Sequence, residues 1–215
     1  MLRFPTSDST PATARRALAL AVVAALGLVL STAHAHDLPQ ERTALVQVSK
    51  DRVEVMIVYL EPPGATVDLL MKRFDLNGDG ALTGPEARLA GGEWMPRVLR
   101  GLQFEVAGEK PRAREPEIKF RVEKKGSLSA AVYARWDLEP LDAGESRTVH
   151  VRMLRQPEVV PTEVTFQSAS MTTITDIALP PRFGGAPTRP LLASGEQASV
   201  SVLAVQAPPS PAKDE

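Results

Sequence analysis

Apolar and polar residues alternate with a period of two along most of this chain. That pattern restricts it to strands with one dry face and one wet face. "TALVQVS" (Thr43–Ser49) and "RVEVMIVYL" (Arg52–Leu60) are β-branched runs joined by Lys50-Asp51. "EIKFRVE" (Glu117–Glu123) sends Ile118, Phe120 and Val122 one way and Lys119, Arg121 and Glu123 the other. After a Lys124-Lys125-Gly126-Ser127 turn, "LSAAVYARWDL" puts Leu128, Val132 and Trp136 on one side. Arg147–Leu154, Thr162–Ser168, Thr172–Leu179 and Ala198–Val205 continue the pattern. Eight or nine short strands at this spacing predict a mainly β fold, an antiparallel β-sandwich.

One stretch changes period. From Thr66 to Leu102 the apolar residues fall at helical spacing: Val67, Leu70, Met71 and Phe74, then Ala87, Leu89, Trp94, Val98 and Leu99. Gly91-Gly92 and Pro96 predict a broken second helix, ending near Ala90 and resuming from Glu93 to Arg100. "GLQFEVAGEKP" then returns to strand. The expected architecture is a sandwich with a helix–loop–helix inserted at residues 66–102.

The loop between these helices reads "DLNGDGALTGPE", Asp75 to Glu86, and holds the chain's one asparagine. Asp75, Asn77, Asp79 and Glu86 stand at places 1, 3, 5 and 12, with Gly80 at place 6 and Leu82 at place 8. A loop that wraps a hard cation draws oxygens from places 1, 3, 5, 7, 9 and 12. Asp75, Asn77 and Asp79 supply side-chain oxygens, Ala81 its backbone carbonyl, Thr83 its hydroxyl or a water, and Glu86 both carboxylate oxygens. Gly80 permits the left-handed backbone that bends the chain round the ion, and Leu82 points back to the core. Thr83, Pro85 and Glu86 also carry the start signals of the second helix, a capping box with Pro in the first turn. A plain polar turn needs neither Glu at place 12 nor an apolar place 8. Over residues 66–90 the motif closely resembles the EF-hand family, which implies a Ca²⁺ ion as cofactor. A second loop of this kind is absent from the sequence, so the resemblance implies a weak, constantly filled site that staples the fold and does not switch it.

The chain's start has its own pattern. Arg3, Arg15 and Arg16 precede the apolar run Ala17–Leu30, and "STAHA" follows. This predicts a signal peptide over residues 1–35, cleaved after Ala35 or Ala33, and hence a periplasmic or secreted bacterial protein. No later apolar run is long enough to span a bilayer, so no membrane span is expected in the mature chain. Without residues 1–35 the 25 Lys and Arg fall to 22 and the 26 Asp and Glu to 25, a net charge of −3. No basic arm for nucleic acid remains. The 215 residues include no cysteine, so an exported chain of this kind must be held by packing and metal without disulfides. Residues 36–206 are expected to form the sandwich domain. Residues 207–215, Pro-rich and polar, read as a disordered tail, and Arg182 to Pro190 as a loop.

Histidine offers a second metal chemistry. Cleavage after Ala33 would free His34-Ala35-His36, whose amine, backbone nitrogens and third-position imidazole suit square-planar Cu(II) or Ni(II). His36 alone would begin the chain after cleavage at Ala35. The plainer reading is that both sit at a frayed terminus. His150 is expected on a solvent-facing strand surface beside Arg152. The order of elements over residues 36–168, from "HAHD" through two strands, the helical insert and further strands, resembles the periplasmic domain of hydrogenase/urease accessory proteins of the nickel-uptake type. It is also similar to a bacterial periplasmic family found with metal transport. Those resemblances imply transition-metal handling. No Cys nucleophile, GxSxG or HExxH is present, so the chain reads as a binding module and not an enzyme, with an envelope or extracellular protein as partner.

Overall fold

The computed structural model describes residues 40–110, 114–123, 125–157, 159–169, 171–183 and 189–205. The signal segment with Ala33 and Ala35, the histidines His34 and His36, part of the Arg182–Pro190 loop and the tail lie outside the described residues. In chain order the elements are β1 (Glu41–Val48), β2 (Arg52–Glu61), α1 (Ala65–Phe74), α2 (Gly84–Val98), β3 (Leu102–Val106) and β4 (Arg114–Val122). There follow β5 (Leu128–Asp137), β6 (Ser146–Met153), β7 (Thr162–Ser168), β8 (Thr172–Ala178), β9 (Leu191–Leu192) and β10 (Gln197–Ala204). The protein is mainly β.

The strands form two sheets. Six lie in the order β4-β5-β2-β1-β7-β9 and four in the order β3-β6-β10-β8. Alternation places the core. In the larger sheet one row runs Ile118, Val132, Ile57, Ala44 and Val164 across five strands in register, and every member is buried. In the smaller sheet Val149 of β6 stands opposite Val106 of β3 and Val200 of β10, again all buried. A single cluster of buried apolar side chains draws on both sheets and both helices. Trp94 and Trp136 anchor it, Trp94 edge-on to Tyr59 and Phe120, and Trp136 tilted against Phe104.

Three expectations need correction. The larger sheet is not wholly antiparallel, because β7 pairs with β1 in parallel. Alternation fixes which face a side chain takes but is silent on strand direction, and no hairpin joins these two strands. The two-residue β9 was not foreseen, being too short to carry a period. The second helix does not break near Ala90: α2 runs unbroken from Gly84 to Val98. Its inner face is Glu86, Ala90, Trp94 and Val98, four residues apart each time and all buried, which leaves Leu89 on the outside at 58% exposed. Gly91 is kept for closeness to β4, since a Cβ there would meet the Ile118 Cγ2 at 2.3 Å. Pro96 falls in the last turn, where its missing N–H would have met the carbonyl of exposed Gly92, which water can serve.

Candidate metal centre

Between α1 and α2 the loop winds round its own polar side chains. α1 buries Val67, Leu70 and Phe74 and ends at Phe74, so Asp75 opens the loop. Asp75 Oδ1 accepts the N–H groups of Gly78 (2.8 Å) and Asp79 (3.1 Å), and its Oδ2 accepts that of Gly80 (2.9 Å). One carboxylate thus curls the next five residues around itself. Asn77 Oδ1 accepts from Asp79 N–H at 2.9 Å, and Asp79 Oδ1 from Ala81 N–H at 2.9 Å. The Asn77 amide donates to Asp79 Oδ2 at 3.1 Å. Gly78 and Gly80 take φ of 72° and 78°, which the tight winding requires and a side chain would oppose. Leu82 turns into the core, 3% exposed.

Glu86 closes the loop from the other side. It is 7% exposed, carried on the inner face of α2. Its Oε1 accepts N–H from Leu76 (3.0 Å) and Asn77 (3.3 Å), and its Oε2 from Thr83 (3.4 Å). Thr83 is the N-cap of α2, with extended φ and ψ. One side chain therefore joins the start of the loop to the start of the following helix.

The groups the loop could offer an ion are all oxygens: the side chains of Asp75, Asn77, Asp79 and Glu86, the Thr83 hydroxyl and the Ala81 backbone carbonyl. Hard oxygens of this kind can hold calcium or magnesium and are poor for softer metals. Asp75 Oδ2, Asp79 Oδ1 and Glu86 Oε2 each take one N–H and keep a lone pair for an ion, whereas Asp75 Oδ1 and Glu86 Oε1 each take two and would have to give one up. The residues fit the group. Among the described residues no three His, Cys, Asp or Glu groups form a ready cluster, since the loop carboxylates are turned onto backbone N–H groups. His150 sits on the outward side of β6 with its Nδ1 2.9 Å from Gln197 Nε2, and brings in no metal-binding neighbour.

The far end of α2 is held by charges that the sequence reading did not single out. In the row next to the apolar one, register aligns Phe120, Ala130, Tyr59, Arg42 and Thr162. Arg42 is 3% exposed. Its Nη1 donates to the carbonyls of Val98 (3.0 Å) and Arg100 (2.7 Å), its Nη2 to that of Val160 (2.9 Å), and its Nε to Thr162 Oγ1 (2.6 Å). Burial pulls its pKa down to about 10. Beside it Glu61, also buried, accepts both from Arg97 Nη2 (3.0 and 3.1 Å) and from the Tyr59 hydroxyl (2.8 Å). Burial raises the Tyr59 pKa. Burial acts to lower Arg97, but Tyr59 and Glu61 outweigh it and the net shift is upward. The signal was present in the sequence: Arg42 shares parity with Ala44, Val46 and Val48, and Glu61 with Val53, Val55, Ile57 and Tyr59. Both charges therefore fall on the apolar face.

No family model matches the chain, and no curated protein matches it.

Proposed function

We propose that the protein is an exported binding module, a β-sandwich whose inserted EF-hand holds one calcium ion as a structural staple and whose partner is an envelope or extracellular protein. The observation that carries this reading is the twelve-residue turn. Asp75 gathers the N–H groups of Gly78, Asp79 and Gly80, while Glu86 reaches back from α2 to those of Leu76 and Asn77. Three carboxylates in so short a turn repel one another, and N–H dipoles offset that repulsion only in part. A divalent cation supplies the missing positive charge and ties α1 to α2 through Asp75 and Glu86. Because Glu86 already clasps the loop to the helix, the ion reinforces an arrangement that the chain forms by itself.

Thermal unfolding of the exported chain in EDTA, in CaCl₂ and in MgCl₂ tests the reading. A lone site of this class binds on the order of 10⁻⁴ to 10⁻³ M. Calcium at ten times Kd adds about 1.4 kcal/mol, a midpoint rise of a few degrees that saturates with calcium and exceeds the magnesium effect. An unchanged midpoint up to tens of millimolar CaCl₂ would sink the proposal.

A further inference from the structure

Where α2 ends, a cavity of about 290 Å³ opens between Gln40, Arg42, Tyr59, Arg97, Arg100 and Val160. Three guanidinium groups line it. Among the described residues one carboxylate, Glu61, answers them, and it is held by Arg97, Tyr59 and Gln40. Arg42 has its donors taken by three carbonyls, the Thr162 hydroxyl and the Met153 sulfur, all neutral. Neutral acceptors satisfy its N–H groups but leave its charge uncompensated, in a place where burial makes that charge costly. The other two cations have donors to spare. Arg97 uses Nε on Tyr59 and Nη2 on Glu61, which leaves Nη1. Arg100 lies exposed with no partner for its side chain among the described residues.

We infer that this cavity binds a small organic acid, its carboxylate taken by Arg97 and Arg100 in the field of buried Arg42. Guanidinium groups match planar carboxylates with paired N–H donors, and Arg97 already holds one carboxylate, Glu61, through Nη2 alone. The count of charges sets the class: three cations against one anion leave room for one or two negative charges. The Glu61 carboxylate beside the site disfavours a compact dianion such as phosphate. Tyr59 and Val160 add some ring and methyl surface to a mainly polar lining, and the volume is that of a small organic molecule. This site is at the opposite end of α2 from the Asp75–Glu86 loop and needs no calcium.

The test is a titration of the full exported chain, in EDTA, with sodium acetate and sodium succinate. NaCl and sodium phosphate at matched ionic strength serve as controls, read by thermal midpoint and by isothermal calorimetry. The expected result is saturable binding of a carboxylate with a midpoint rise that NaCl does not give. Arg100→Gln, at an exposed position whose side chain holds nothing in the fold, weakens that binding about tenfold, the loss of one charge-assisted contact. Arg100→Lys keeps the charge but not the planar fork and falls between. Absence of saturable binding overturns the inference, as does binding that Arg100→Gln leaves unchanged. A phosphate response equal to or above the carboxylate response overturns the assignment to organic acids.

Discussion

Glu86 has two sets of partners to serve. Its oxygens accept from Leu76, Asn77 and Thr83, and as a ligand of the proposed calcium the same oxygens would have to face the metal. Removing its charge therefore costs the loaded state more than the unloaded one. Glu86→Gln keeps an acceptor for the backbone N–H groups and lowers stability in EDTA by about 1 kcal/mol, the worth of weakened hydrogen bonds. In calcium it loses the charged bidentate ligand, and affinity falls by more than tenfold. Thr83→Ala costs about as much in EDTA but far less in calcium. It loses a cap residue, about 1 kcal/mol in EDTA, and takes only a peripheral ligand from the ion. Calorimetric titration of the two variants should thus separate them clearly. Equal losses of calcium affinity would contradict the assigned roles.

At the scale of the element, α2 shows how a local rule can mislead. Gly91-Gly92 is a poor helix pair by propensity, and the sequence alone suggests a break there. The two glycines are not equivalent in the fold. Gly91 is buried where a Cβ would come within 2.3 Å of the Ile118 Cγ2, whereas a Cβ on Gly92 would meet nothing within 4 Å. Ile118 is β-branched and buried in the core cluster, so it cannot turn aside cheaply. Gly91→Ala should destabilise by about 1–3 kcal/mol, overpacking outweighing helix propensity. Gly92→Ala should stabilise by about 0.5–1 kcal/mol, because only propensity and unfolded-state entropy change. Chemical denaturation of both variants gives the two signs, and two stabilising alanines would disprove the close contact. What could be read in advance follows the same division. Parity along β1, β2, β4 and β5 disclosed the buried rows, and the spacing from Asp75 to Glu86 disclosed the turn. The approach of α2 to β4 and the parallel pairing of β1 with β7 depend on residues far apart in the chain, so neither period nor propensity carries them. Arg42 and Glu61 stand between these cases. Their places on the apolar face were legible, but the carbonyls that receive Arg42 belong to segments that only the fold assembles.

For the molecule as a whole, Arg42 is the point where several layers meet. It rises from β1 in the larger sheet and donates to Thr162 at the start of β7, and to Val160 just before it. It also reaches Val98 and Arg100 at the end of α2, and its Nη2 lies 3.7 Å from the sulfur of Met153 in the smaller sheet. The carbonyls at a helix C-terminus have no intrahelical donors, and a cation there also meets the negative end of the helix dipole. Arg42→Met would fill much of the same space and remove a desolvated charge, which by itself favours folding. It would also take the donor from the buried carbonyl of Val98, at about 1–3 kcal/mol, and from the half-buried carbonyls of Arg100 and Val160, at less for each. The second effect is larger, so the variant should lose about 1–3 kcal/mol, a sizeable share of a typical domain's stability. Arg42→Lys keeps the charge but gathers its donors on one nitrogen, which cannot span carbonyls from three segments, so its loss is intermediate. Urea midpoints should then run wild type, Lys, Met in falling order with an unchanged slope. Amide exchange at the end of α2 should accelerate ahead of that in the strands. An Arg42→Met protein as stable as the wild type would mean that water serves those carbonyls, and that the two sheets and α2 are joined by apolar packing alone.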